Sequence, residues 1–191
     1  MEPVTLKSDR LLIRPLRAQD AEHVMAAWQD PNIRRWTAVP VEQTLDMAAD
    51  FVRISVNEWR EGRNFILGIE VIDTGEFVGT IGIFGLSWVS MSEQLAWVGC
   101  WAVGGQRRNG YMAEALPVLA AWAFRELRID RLEAIVEVGN DASLACALKA
   151  GFQMEGTLRS RTVQDGTRRD AWIAALLPGD LGQASSVPYH G

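Results

Sequence analysis

Cysteine and histidine are scarce in this chain: two of each in 191 residues. Cys100 and Cys146 lie far apart, each inside an apolar segment, so they read as free thiols rather than a disulfide framework or a metal site. His23 and His190 do not cluster with them, and no metal is expected. With so few imidazoles, histidine is a poor choice of general base unless His23 faces the cleft. Long apolar runs are also missing. None approaches the ~18–20 residues of a membrane span, and the N-terminus lacks a basic-then-apolar signal pattern. The expectation is a cytoplasmic protein with no membrane partner. Basic excess is absent as well: 19 Lys and Arg against 24 Asp and Glu give a net charge of -5, which argues against nucleic acid as a partner.

What remains is the composition of a globular protein, 48% hydrophobic and 23% charged, with length for one domain and its core. Its most informative stretch is CWAVGGQRRNGYMAEALPVLAAWAFRE, Cys100 to Glu126. An apolar strand, Leu95 to Val103, leads into a loop of glycines, arginines and an asparagine, and an amphipathic helix opens at Gly110. The first turn of a helix leaves backbone N–H groups without partners and carries the positive end of the macrodipole, so such junctions bind anions. Arg107 and Arg108 would add full charges. A Walker loop is excluded, because Tyr111 stands where the phosphate-binding lysine belongs and Met112 where the magnesium-binding hydroxyl belongs. A dinucleotide fingerprint is excluded too, since Gly104, Gly105 and Gly110 lack its spacing.

The loop resembles the acyl-coenzyme A loop of the GCN5-related N-acetyltransferases (GNAT), whose pattern is Arg or Gln, two residues, Gly, one residue, then Gly or Ala; Arg107, Gly110 and Met112 occupy those places, the last being bulkier than the family residue. SDRLLIRPLRAQDAEHV (Ser8 to Val24) and GNDASLACALKAGFQMEGTLRS (Gly139 to Ser160) resemble blocks of the RimJ/RimL-like branch. The resemblance implies an α/β (α+β) GNAT-type domain over residues 1–177, with a mixed, mostly antiparallel seven-stranded sheet splayed at its central strands and flanked by helices, followed by a loose tail over 178–191.

The chain's own patterns supply the elements. Strands are predicted at Leu11 to Leu16, Phe65 to Ile72, Phe77 to Phe84, Leu95 to Val103 and Leu132 to Val138, with a final hairpin of Phe152 to Ser160 and Arg169 to Leu177 across Asp165 and Gly166. Helices are predicted at Gln19 to Gln29, Glu42 to Glu61, from Gly110, and at Ser143 to Ala150. Residues 30–40, broken by Pro31 and Pro40, read as irregular. Pro117 is awkward within the helix from Gly110: either the first turn is distorted into a wider nest or the helix begins later.

The resemblance also implies an activity: an acyl-coenzyme A-dependent N-acetyltransferase moving an acetyl group from acetyl-CoA to a primary amine of a peptide N-terminus, an antibiotic or a small metabolite, by direct attack. Its cofactor site would comprise Trp101, Ala102, Val103, Arg107, Arg108, Asn109, Gly110, Tyr111, Met112, Asn140 and Ser143, with a backbone N–H of Ala102 or Val103 stabilising the oxyanion. Many members protonate the leaving sulfur with a tyrosine at the position of Ala147; here Ser143 is the candidate, unless it only caps its helix. Trp97 falls where many members carry a glutamate base. Glu93, Glu137 and Glu155 are the nearby carboxylates, and Glu93 is taken as the candidate base. Trp28, Trp36 and Trp88 either pack the core or line the substrate pocket. A succinyl donor, served by Arg34, Arg35 and Arg159, and a non-catalytic acyl-coenzyme A binding module are the alternatives. Strands of the C-terminal hairpin often pair between subunits in this family, which implies a homodimer.

Overall fold

The computed structural model describes residues 1–86 and 92–190. Two compact units make it up, Met1–Gly82 with Cys100–Ala115 and Ile83–Gly99 with Leu116–Gly191. The described strands number eight in one mixed, mostly antiparallel sheet. The strand beyond the expected seven is β1 (Leu6–Lys7), a two-residue pairing with β2 (Leu11–Pro15) through Leu6↔Ile13. Two residues are too few to show an alternating pattern.

In the first unit, β2 pairs antiparallel with β3 (Phe65–Val71), and β4 (Phe77–Phe84) follows. β3 is buried at every position but Glu70, so its run FILGIEV is apolar on both faces except at that residue. Leu11, Ile13, Leu67, Ile69, Val24 and Trp59 form this core. α1 (Asp20–Trp28) and α3 (Leu45–Arg60) pack together, with Trp28 buried edge-on to Phe51. α3 buries Ala48, Val52, Ser55 and Trp59, one stripe of a 3.6-residue period, and Thr44 caps it by accepting from the Met47 N–H.

α2 (Pro31–Trp36) corrects the irregular reading of residues 30–40. Asp30 is its N-cap, accepting the Asn32 N–H at 2.8 Å, and Pro31 occupies the first helical position, where its missing N–H costs nothing.

β5 (Leu95–Ala102), which lies in the second unit as far as Gly99, runs parallel to β6 (Arg131–Glu137) over Leu95↔Arg131 to Trp97↔Glu133, although both strands continue. β6 pairs antiparallel with β8 (Thr167–Leu176) along its whole length, and β8 with β7 (Gln153–Gln164). The hairpin extends right up to Asp165 and Gly166, both at positive φ, and bulges near Gly156 and between Leu158 and Thr162. α4 (Tyr111–Glu126) starts directly after Gly110 and runs through Pro117 without ending, so the helix does not begin beyond the proline. Leu119, Ala120 and Ala123 of α4 are fully buried, as are Leu132 and Leu176. α5 (Asp141–Lys149) completes the unit. The segment expected as a loose tail holds a 3-10 turn, Pro178–Leu181, and hydrogen bonds from Ser186 and Val187 to the Asp130 carboxylate.

One buried ion cluster ties β2, β3 and α1. Arg14, 3% exposed, donates to both carboxylate oxygens of Asp20, 1% exposed, at 2.7 and 3.0 Å, and to Glu70 at 2.9 Å. Asp20 also accepts the Arg17 N–H at 2.7 Å. Removing one partner strands a charge away from water. Asp20→Ala is therefore expected to cost about 3–5 kcal/mol, read as a fall in the urea midpoint at unchanged m-value; a loss below about 1 kcal/mol, the scale of an exposed pair, would remove the cluster from the account of this unit.

Candidate active site

The loop between β5 and α4 is fixed from three sides. The first is the β4–β5 approach. Gly79 has φ 154°, and a Cβ there would lie 2.0 Å from the Trp101 carbonyl oxygen and 2.9 Å from the Ala102 Cα. Only a residue without a side chain permits this distance. The same space holds the Met112 methyl, 3.0 Å from that point. The bulk of Met112, set against the small residue usual in the resemblance, is thus accommodated by a glycine on β4. The Val103 N–H donates to the Val78 carbonyl at 2.9 Å. Of the two alternatives for an oxyanion donor, Ala102 or Val103, the Val103 N–H is engaged by Val78, while the Ala102 N–H, one residue back along the strand, faces the opposite edge.

The second side is Arg107. Gly104–Gln106 form a 3-10 turn, and Arg107 beyond it donates through Nε to the Ala102 carbonyl at 3.1 Å and through Nη2 to Asp30 at 2.6 Å. Its guanidinium therefore locks the loop to α2 and brings less net charge to an anion than the sequence suggests. Partial burial would raise the Asp30 carboxyl, but the Asn32 N–H and Arg107 outweigh it and hold it below the usual carboxylate range.

The third side is the N-terminal block. Glu114, in the first turn of α4, accepts from the Ser8 hydroxyl at 2.6 Å, the Arg10 N–H at 3.1 Å and the Arg10 Nε at 2.7 Å. Arg10 also donates through both terminal nitrogens to the Asn109 carbonyl at 3.2 Å and lies over the Tyr111 ring, 4.7 Å from its centroid. Partial burial would raise the Glu114 carboxyl, but the Ser8 hydroxyl and Arg10 hold it below the ordinary value.

Within this frame Arg108 (φ 65°) and Gly110 (φ 80°) take left-handed backbone conformations on either side of Asn109. The first helical bond of α4 runs from Glu114 N–H to the Gly110 carbonyl, so the N–H groups of Tyr111, Met112 and Ala113 precede any intrahelical acceptor. Alternating backbone signs and a helix start make a concave set of N–H donors, a nest suited to phosphate oxygens.

The second unit holds the remaining candidates. Asn140, not Ser143, is the N-cap of α5: its side chain accepts the Ser143 N–H at 3.3 Å. The Ser143 hydroxyl, half-buried in the first turn, is thereby relieved of capping. Trp97 is 40% exposed and stacks on Phe84 at 4.6 Å.

The acetyltransferase (GNAT) domain model matches residues 10–153. The chain belongs to the GNAT acetyltransferase family. An uncharacterized N-acetyltransferase of Bacillus subtilis, YoaA, is 30% identical over 172 residues, covering 90% of this chain and 96% of the relative. Among solved structures, RimJ of Mycobacterium smegmatis in complex with CoA-disulfide aligns with a TM-score of 0.83 at 24% identity, over 96% of this chain and 93% of that one. RimL, a ribosomal L7/L12 alpha-N-protein acetyltransferase in complex with coenzyme A, aligns with a TM-score of 0.79 at 18% identity, over 91% and 98%. The RimJ/RimL-like branch is consistent with both, and the protein is an acetyltransferase of the GNAT type.

As a GNAT enzyme it has few side chains suited to proton transfer. Ala147 is buried, so no tyrosine hydroxyl occupies that place. Glu93 is exposed on the turn before β5. Glu155 is held by Arg131 at 3.0 Å and below, which lowers its carboxyl against a smaller raising by burial, and Glu137 pairs weakly with Thr162 at 3.5 Å. Burial pushes the Cys146 thiol up, away from thiolate chemistry. His23 stacks on Phe77 at 5.0 Å. Trp28 is core packing, Trp36 is half-buried under Arg35, and Trp88 lies outside the described residues. No group of metal-binding side chains occurs among the described residues, and among them no helix is long and apolar enough to cross a membrane. The role of Ser8 and Arg10 was not legible from sequence, because Glu114 lies 106 and 104 residues away.

Because the folded Glu114 carboxyl sits below its unfolded value, its contribution to stability is present above the unfolded pKa of about 4.3 and is lost as pH falls through the folded one. Urea unfolding is expected to show a shallower decline on acidification in Glu114→Gln than in wild type; parallel declines would refute the assignment.

Proposed function

We propose that this GNAT enzyme transfers the acetyl group of acetyl-coenzyme A to the α-amine of a peptide or protein N-terminus. The observation that carries the reading is the nest at Arg108–Gly110 with the unpaired first turn of α4: its donors are main-chain N–H groups, the chemistry that a diphosphate requires. Tyr111, Met112 and Ala113 would supply these N–H groups, with Asn109 and the Arg108 side chain beside them. The β5–β6 ladder ends at Trp97↔Glu133, and the β5 backbone beyond it, through Trp101 and Ala102, is assigned to the pantetheine amides. Asn140 and Ser143 keep the roles that the family resemblance implies for them.

Acetyl-coenzyme A, when bound, supplies an activated carbonyl and a thiolate leaving group. The Ala102 N–H is assigned to stabilise charge at that carbonyl oxygen, a contribution on the order of 3 kcal/mol of barrier. The Ser143 hydroxyl, free of capping duty, is the group proposed to hold a proton for the departing sulfur. The base is the weak point of the residue inventory, since Trp97 cannot take a proton and Glu93 stands exposed. Water suits an α-amine, whose pKa near ~8 leaves an appreciable neutral fraction at neutral pH, whereas a lysine near ~10.4 is almost wholly charged. The named ribosomal-protein relatives favour the same acceptor class. Arg35, stacked over Trp36 at 3.9 Å, gives little support to a succinyl donor.

Thermal unfolding in acetyl-coenzyme A at about 100 times its dissociation constant is expected to show a stabilisation of ~2.7 kcal/mol. Gly110→Val, strained at φ 80°, is expected to remove that shift while retaining the fold. A shift that survives the substitution would place the cofactor elsewhere. Thiol release with a peptide α-amine is expected to exceed that with an Nα-blocked lysine peptide at pH ~7; the reverse order would assign the acceptor to side-chain amines.

A further inference from the structure

Glu114 sits in the very turn whose N–H groups are assigned above to a diphosphate. A carboxylate there suits the helix dipole but repels an incoming anion. The chain surrounds this charge with the Ser8 hydroxyl, the Arg10 N–H and the Arg10 guanidinium. We propose that Ser8 and Arg10 are positioning residues for coenzyme A binding, neutralising Glu114 and orienting the Asn109–Gly110 peptide so that its N–H faces the ligand. This rests on the acetyl-coenzyme A reading of the loop.

The orientation follows from peptide geometry. A trans peptide points its carbonyl and its N–H in opposite directions. Arg10 holds the Asn109 carbonyl with both terminal nitrogens at 3.2 Å, so the Gly110 N–H is turned to the other side, into the nest between Arg108 and the start of α4. The Tyr111 ring beneath the guanidinium, 4.7 Å from centroid to Cζ, limits its swing. The Arg10 and Glu114 side chains are 49% and 21% exposed, so their mutual attraction is partly screened and depends on salt. The pair acts at short range on the peptide plane and the helix turn assigned to the ligand, where an unbalanced charge is felt most strongly.

Calorimetric titration of coenzyme A into wild type, Arg10→Met, Glu114→Gln and the double variant tests the proposal. Arg10→Met leaves the carboxylate uncompensated and is expected to weaken binding about tenfold, more at low salt than at high salt. The double variant removes the charge that needed compensation and is expected to recover much of the loss. A purely structural role predicts a double variant at least as weak as Arg10→Met, and that result overturns the proposal, as does wild-type affinity in Arg10→Met. Arg10→Lys keeps the charge without the fork, loses about threefold on this reading, and serves should the methionine variant not fold; wild-type affinity there also overturns it. Failure of wild type itself to bind coenzyme A strikes the loop reading instead, and is seen before any variant is made.

Discussion

Main-chain N–H groups at the start of α4 can meet an anion only if the loop before them is prevented from closing on itself. An unrestrained loop would turn those donors toward its own carbonyls or toward water, and each ligand would have to undo that arrangement. Here the loop is pre-formed. Gly79 lets β4 come against the Trp101 carbonyl, Arg107 fastens the far end to Asp30 of α2, and Arg10 holds the Asn109 carbonyl while pairing with Glu114. The arginines nearest the loop thus serve its shape first. Those donors are held by partners drawn from across the first unit.

The same economy marks the reacting groups. A thioester is already activated, so the demands on the protein are a donor for the carbonyl oxygen, a proton for the sulfur and a neutral amine. The first is assigned to the backbone: Val103 is committed to Val78, and strand alternation leaves Ala102 facing the other edge. A hydroxyl that does not cap its helix provides a candidate for the second, since Asn140 has taken that role. The third places no strong requirement on any side chain when the acceptor is an α-amine, which fits a chain whose carboxylates are exposed, like Glu93, or tied to partners, like Glu155.

Much of this was legible in the sequence, and the parts that were not share a cause. Periodicity and turn residues placed the strands and the longer helices, because burial on one stripe or face writes a local pattern. The short elements escaped: β1 is two residues long, and α2 was hidden by reading Pro31 as a breaker, although Asp30–Pro31 is a cap followed by a first-turn proline, a helix start in its own right. The loop and its family were recognisable from Arg107, Gly110 and the flanking blocks. Its supports were not, because Arg107–Asp30 spans 77 residues and Arg10–Glu114 spans 104, and no local rule links residues at such separations. Asn140 and Ser143 show a finer limit: the pattern puts Asn140 at the end of a strand and Ser143 at the helix start as its possible cap, whereas the helix begins at Asp141 with Asn140 as its cap.

For an acidic chain, an anionic cofactor such as the one proposed poses a problem of range. A net charge of -5 opposes approach at long distance, but at physiological ionic strength the field of exposed charges dies away within about 8 Å. Inside that distance the short-range donors decide. Backbone N–H dipoles suit this better than a field of arginines: they bond an anion directly at short range, and they add no net charge to the unliganded protein. With Arg107 paired to Asp30 and Arg10 to Glu114, the loop's cationic surplus is small even though it is rich in arginine. Discrimination then rests on geometry, for only an anion that fits the curvature between Arg108 and the first turn of α4 meets several donors at once, and a carboxylate or chloride of the wrong shape meets few.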